Sequence, residues 1–252
     1  MKKNKFIIII FFLSILTVYS KEKYTLPDSI NLFKYNSSKK NITDLPEIGF
    51  YPEIKILGWS KFGKVAWFQS EDTGGKGGVS VTFFISNLVN DTIVYKKTFD
   101  GDNYKEYSVE NQESTINTTE PFINYIFKNE YNEIAEILFK NEIRQIYTPY
   151  NKLPIIYNNE FYKCNIIIKE KNQKNEFWDK IASYKIIIMN KNHKKIITYS
   201  DNVSALNIYI CGYFLSPFES RALIVYAIQE QGFEESVLEY KFSGCSLDKG
   251  FK

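Results

Sequence analysis

The sequence predicts an α+β fold that is mainly antiparallel β: a sheet or sandwich of about nine strands with one long amphipathic helix inserted midway. Three observations carry this reading. Alternating or continuously apolar runs rich in Val, Ile, Tyr and Phe recur between turn residues along most of the chain. The connections between the first of these runs are too short for parallel crossovers, which take about a dozen residues or more. The apolar period switches to helical spacing once, between residues 120 and 147.

Residues 1–20 read as a secretory signal peptide. Lys2, Lys3 and Lys5 form a basic n-region, and Phe6 to Val18 is an apolar run broken only by Ser14 and Thr17. Val18-Tyr19-Ser20 then offers a peptidase site, with cleavage between Ser20 and Lys21. The run is shorter than the ~20 apolar residues of a membrane span, and no later run approaches that length. The expected product is exported, periplasmic or extracellular, with no membrane span after cleavage. Residues 21–50 are polar and irregular and read as an extended N-terminal arm. Residues 51–252 read as a single β-rich globular domain, the alternative being two β lobes joined around the helix.

Within that domain, Ile54-Lys55-Ile56-Leu57 alternates, Gly63-Lys64 turns, and Val65 to Phe68 is a short apolar strand. Val79 to Leu88 is a longer strand, and Asn90-Asp91 turns it into Thr92 to Lys96. In the helical stretch, Ile123, Phe127, Tyr131, Ile134 and Leu138 share a face that Ile126, Ile137 and Ile146 widen. Thr119 suits the N-cap and Pro121 the first turn, and Glu136 with Lys140 adds an i,i+4 pair. Pro149 and Pro154 end the helix. So wide an apolar face must pack, and one face of the sheet is the expected partner. Strand patterns resume over Phe161 to Lys169, Tyr184 to Met189 and Lys194 to Tyr199. They continue over Asn207 to Phe214, Arg221 to Ile228 and Ser236 to Phe242.

Charge narrows the partners. The chain carries 32 Lys+Arg against 29 Asp+Glu. The three-lysine excess lies in residues 1–20, so the exported part is formally neutral. That balance gives no footprint for nucleic acid and no polybasic run for a lipid surface. Lys191-Asn192-His193-Lys194-Lys195 reads as a solvated turn. The sequons at Asn36, Asn41, Asn117 and Asn202 read as by-products of an Asn-rich composition, relevant only in a glycosylating host.

Two segments echo one another. Leu57-Gly58-Trp59-Ser60-Lys61-Phe62-Gly63-Lys64-Val65-Ala66-Trp67 and Gly212 to Val225 each run from an aromatic-rich strand through a Ser-led turn and a basic residue into an apolar strand. This form resembles the W-S-x-D-G-K-x-I-A-F turn of blade repeats in β-propellers of the periplasmic Tol type. With the Gly74-Gly75-Lys76-Gly77-Gly78 loop and Ser216-Pro217, it also resembles exported bacterial proteins of unknown function. Phe62 replaces the Asp of the repeat, and Leu57 and Gly212 are much further apart than one blade of about 40 residues. The echo is therefore read as a shared strand–turn–strand solution.

The candidate sites are few. Gly74, Gly75, Lys76, Gly77 and Gly78 free a backbone that could turn its N–H groups toward a ligand. A strand follows them, however, where a phosphate loop requires a helix. They read as a hairpin connection or a binding loop. Cys164, Cys211 and Cys245 make an odd count in an oxidising compartment. Cys211 and Cys245 flank the last strands and are the preferred disulfide pair, the alternative being three buried thiols. His193 is the only histidine, which argues against a triad or a histidine metal site. Glu71-Asp72 and Glu234-Glu235 are adjacent carboxylates that point apart on a strand or turn. Asp100-Gly101-Asp102-Asn103 lacks the spacing of a calcium loop. Trp59, Trp67 and Trp178 would line a sugar or peptide groove only if exposed. No cofactor and no metal is expected. Two functions follow: a non-catalytic binding module with an envelope or extracellular protein partner, or a carboxylate-dependent hydrolase acting on an envelope polymer. The second needs two carboxylates facing each other about 5–10 Å apart in a cleft.

Overall fold

The computed structural model describes residues 23–30, 32, 48–71, 73, 78–107, 119–171, 181–191, 193–201, 203–232 and 235–252. The segment 1–20 with its Ser20–Lys21 junction, residues 74–77, Asp72, Trp178, Glu234 and the four sequon asparagines lie outside the described residues. Among the described residues the strands are β1 (Ile48–Phe50), β2 (Ile54–Trp59), β3 (Lys64–Glu71), β4 (Ser80–Asn87), β5 (Thr92–Asp100), β6 (Ile155–Tyr157), β7 (Glu160–Glu170), β8 (Ile181–Asn190), β9 (His193–Asp201), β10 (Asn207–Leu215), β11 (Arg221–Gln231) and β12 (Ser236–Ser246). They form three four-stranded sheets, ordered β2-β3-β4-β5, β6-β7-β8-β9 and β1-β12-β11-β10. Every pairing is antiparallel except β1 with β12.

The sheets are stacked, and the sequence pattern of each strand records how many of its faces are covered. Side chains alternate across a strand. In β11, Leu223, Val225 and Ala227 pack toward Val65, Trp67 and Phe84 of the first sheet. On its other face, Ala222, Ile224, Tyr226 and Ile228 pack toward Tyr184, Ile186 and Ile188 of β8. The sheet that contains β11 is therefore central and buried on both sides, which is why β11 is an almost unbroken apolar run. β3 and β4 are covered twice as well. Their second face, with Phe68, Val81, Phe83 and Ile85, lies under the helices. β7 and β9 alternate because their outer face is open. The layers run helix, sheet, sheet, sheet. Fully burying one large apolar side chain contributes about 1.5–3 kcal/mol. Aromatic pairs such as Phe68–Phe83 (ring centroids 5.2 Å apart) and Trp67–Phe242 (4.6 Å) add geometric specificity.

The helical stretch corrects the expectation of one long helix over 120–147. Two short helices stand there, α1 (Thr119–Asn129) and α2 (Tyr131–Lys140). The break falls at Glu130, whose backbone (φ −97°, ψ 15°) leaves the helical region. Asn129 Nδ2 donates to the Tyr125 carbonyl, a local bond that competes with a regular helix. Hydrogen bonds from Glu130 to Ile126 and from Ile134 to Glu130 flank the kink. Ile123, Ile126, Ile134 and Leu138 therefore still face one core. α2 stops seven residues early. The N–H groups of Glu142 and Ile143 turn back to the carbonyls of Phe139 and Leu138, a Schellman closure with Glu142 at φ 56°.

The two echoing segments are matching hairpins, β2–β3 and β10–β11. In each, a serine hydroxyl accepts from the N–H two residues on: Ser60 from Phe62 at 3.1 Å, and Ser216 from Phe218 at 3.3 Å. They meet across the interface of the first and central sheets, with Trp59 and Phe214 rings 6.5 Å apart. Both segments are thus strand–turn–strand hairpins, joined by residues 60–63 in one and 216–220 in the other.

Candidate functional site

Among the described residues, the free edge of β2 is bridged at both ends and open in the middle. Strand geometry sets which backbone groups face outward. Glu53 O accepts from Ser70 N–H, so Glu53 and Lys55 aim their backbone groups at β3. Ile54 and Ile56 then aim theirs away. Ile54 O is occupied by the N–H of Ile30 at 2.8 Å. At the other end, Trp59 and Arg144 exchange two hydrogen bonds of 2.7 and 2.9 Å. Between these bridges the register with β3 turns the N–H and C=O of Ile56 outward, and they bond to no loop or turn backbone among the described residues. The gap from Ile54 to Trp59 is five residue steps long and contains a β-bulge between Ile56 and Gly58, which turns both Ile56 and Trp59 outward and leaves room for roughly three to four residues of an extended chain.

A groove of about 800 Å³ opens over this gap. Leu26 to Ile30 form one wall, Ile146 to Tyr150 the other, and Ile56 the floor. Both walls are fastened. Tyr24 OH donates to the Ile143 carbonyl at 2.7 Å, and Gln145 Oε1 accepts from Thr25 N–H at 2.8 Å while its Nε2 donates to Thr25 O. Lys55, only 2% exposed, donates to Pro27 O at 3.0 Å and pairs with Glu120 of α1, also at 3.0 Å. The Tyr150 ring rests on Phe214, with centroids 5.3 Å apart. Tyr147 is 83% exposed, the largest exposed aromatic surface of the described chain.

Two glycines permit these approaches. A Cβ at Gly58 would stand 2.3 Å from Arg144 O, and one at Gly212 would stand 2.5 Å from both Asn151 O and Tyr150 Oη. Both glycines belong to the echoing segments, where their role as contact points is invisible in the sequence.

The lining mixes apolar and aromatic side chains with the polar groups of Asp28, Ser29 and Thr148. Asp28 is its one carboxylate, and it holds no His or Cys. Thr148 Oγ1 is buried without a hydrogen-bond partner. The two facing carboxylates that hydrolysis requires are not found in this lining.

The residues singled out from the sequence lie elsewhere. Gly78, with φ 84°, leads into β4 at the β3–β4 connection; the other four residues of that loop are outside the described part. Trp59 and Trp67 are 1% and 4% exposed and belong to the core, not to a groove. His193 is exposed at the β8–β9 turn. Asp100 Oδ1 accepts from Asp102 N–H at 3.1 Å, which is a turn-forming bond. Among the described residues no group of His, Cys, Asp or Glu is arranged to hold a metal.

The preferred disulfide is also corrected. All three cysteines are free thiols. Cys211 on β10 faces the core shared with the first sheet, whereas Cys245 on β12 faces the opposite core alongside Cys164. The two sulfurs of the expected pair are separated by the sheet itself. Burial pushes the Cys211 thiol up to about 12 and raises Cys164 and Cys245 as well, so none is a ready nucleophile at neutral pH.

No family model matches the chain, and searches of curated proteins and of solved structures give no match either.

Proposed function

We propose that the protein is an exported, non-catalytic binding module that captures an extended segment of an envelope or extracellular protein along the open edge of β2. The observation that carries the reading is the edge of β2 at Ile56, without a backbone partner among the described residues, framed by two backbone bridges and set at the floor of a groove that Tyr147 and Tyr150 help to line. An added strand would take main-chain hydrogen bonds from Ile56 and apolar contacts from the groove walls. Tyr147 and Tyr150 supply rigid aromatic area, the kind of surface that dominates binding energy. The sequence supports export through the layout of residues 1–20.

The test is affinity capture from the envelope fraction with the full chain and two groove variants, with a deletion of residues 74–78 run alongside. Ile56→Pro removes the outward N–H on an edge strand, where proline is tolerated. Tyr147→Ala removes the exposed ring. Partners held by the wild type and released by both variants support the reading. Capture profiles that are the same for all three chains overturn it. Loss of capture only on deletion of residues 74–78 moves recognition to the glycine loop.

A further inference from the structure

The outer face of the sheet β6-β7-β8-β9 is covered by no other layer among the described residues. It is neither a plain solvated face nor a plain apolar one. Phe161 is 62% exposed, Ile167 54%, and Ile196 and Tyr199 each 56%. Interleaved with them on the same side of β7, β8 and β9 are Lys163, Lys169, Lys185 and Lys194, all exposed. The register fixes this interleaving: Ile167 lies opposite Lys185, Lys185 opposite Tyr199, and Lys163 and Lys194 flank Met189. The Lys185 ammonium sits over the Tyr199 ring, 5.5 Å from its centroid. None of the four lysines makes an ion pair among the described residues. Of the acidic residues in these strands, Glu170 and Asp201 stand at one end, where β7 and β9 finish, and Glu160 stands at the other, where it pairs with Lys191. The linear sequence contains no polybasic run here because the four charges come from three strands.

We infer that this face lies on an anionic lipid surface. Charge and chemistry select that occupant. The chain after residue 20 is formally neutral, so four cations without ion-pair partners gathered on one side form a local positive field. A protein partner fits poorly, because lysine is depleted in protein interfaces. Lysines interleaved with aromatic and aliphatic side chains are instead the composition of a surface that rests at the headgroup boundary. There the apolar side chains enter the interface while the lysine stems extend along it and keep their ammonium groups at the phosphates. The face is about 26 Å long, from Phe161 to Lys169 at about 3.3 Å per residue. The groove over β2 belongs to a different sheet, so docking here leaves that groove free.

The experiment uses the full chain with Tyr199→Trp as a fluorescent reporter and vesicles of brominated phosphatidylcholine, with and without phosphatidylglycerol. The reporter signal is the emission that Tyr199→Trp adds to the wild-type spectrum. Residues 1–20 are common to every variant, and the readout is specific to the face. The expected result is blue-shifted, lipid-quenched reporter emission in the anionic vesicles only. Each lysine contributes about a fivefold change in vesicle affinity at low salt. Quenching is therefore lost when Lys163, Lys169, Lys185 and Lys194 are all changed to Gln. It is retained when Lys61, Lys96, Lys128 and Lys249 are changed instead, at the same net charge. Unquenched reporter emission, equal quenching in neutral vesicles, or quenching that survives the first set overturns the inference. Binding of polyglutamate in place of the vesicles also overturns it and gives the face to an acidic polypeptide.

Discussion

Glu142 ends α2 in the left-handed region, and replacing it with glycine should stabilise the protein. At φ 56° a residue with a Cβ costs about 1–2 kcal/mol relative to right-handed backbone. Glycine removes that cost but adds freedom to the unfolded chain, offsetting about 0.4–1 kcal/mol. The net expectation for Glu142→Gly is a gain of about 0.5–1 kcal/mol. For a chain of this size that raises Tm by about 1–4 °C. Urea denaturation of the wild type and the variant reads the difference as a rise in midpoint at unchanged slope. Glu142→Val is the opposing control and should destabilise, because a β-branched residue is an outlier there. The reversal matters beyond the helix. It turns Ile143, Arg144 and Gln145 back toward β2 and the N-terminal arm, where they fasten the groove wall. A Glu142→Gly variant less stable than wild type, or a Glu142→Val variant as stable, would refute the Schellman ending of α2 and the wall it positions.

Further outcomes follow from other contacts. Gly58→Ala places a methyl against Arg144 O and should cost about 1–3 kcal/mol, with the Trp59 and Arg144 amides losing exchange protection. Alkylation should find three reactive thiols in the unfolded, unreduced protein and slow reaction in the native state; a mass shift on reduction contradicts the placement of Cys211 and Cys245 on opposite faces. Hydrogen bonds from Lys191, Asn190 and Tyr162 hold the Glu160 carboxyl near 2, below its ordinary 4.5. Its contribution to stability is therefore complete above pH 4.5 and fades as pH falls toward 2. The Tm difference between wild type and Glu160→Gln should shrink over that window, and a difference constant from pH 5 to 2 contradicts the depressed carboxyl.

Much of the strand layout was legible because pattern and burial share a cause. The unbroken apolar runs in β3, β4 and β11 follow from being covered on both faces, and the alternation in β7 and β9 from an open outer face. The stack of three sheets was not legible, since a continuous run does not say which layer lies on each side. The kink at Glu130 is hidden because the stripe from Ile123 to Leu138 keeps one face across it. The early end of α2 is hidden because Glu, not Gly, occupies the left-handed position. β1 and β6 are three residues each and gain their place from pairing with β12 and β7. The groove is not legible because its walls come from residues near 28 and 148 and its floor from Ile56, which no local motif connects. Gly58 and Gly212 were visible as members of the echo, but only the close approach of Arg144 and Asn151 explains them.

The most direct test is amide hydrogen exchange at Ile56 beside its neighbour Lys55. The open-edge account predicts rapid exchange at Ile56 in the free chain, slow exchange at Lys55 facing β3, and protection of Ile56 once a captured partner is bound. An Ile56 amide that is already protected in the free chain contradicts the account.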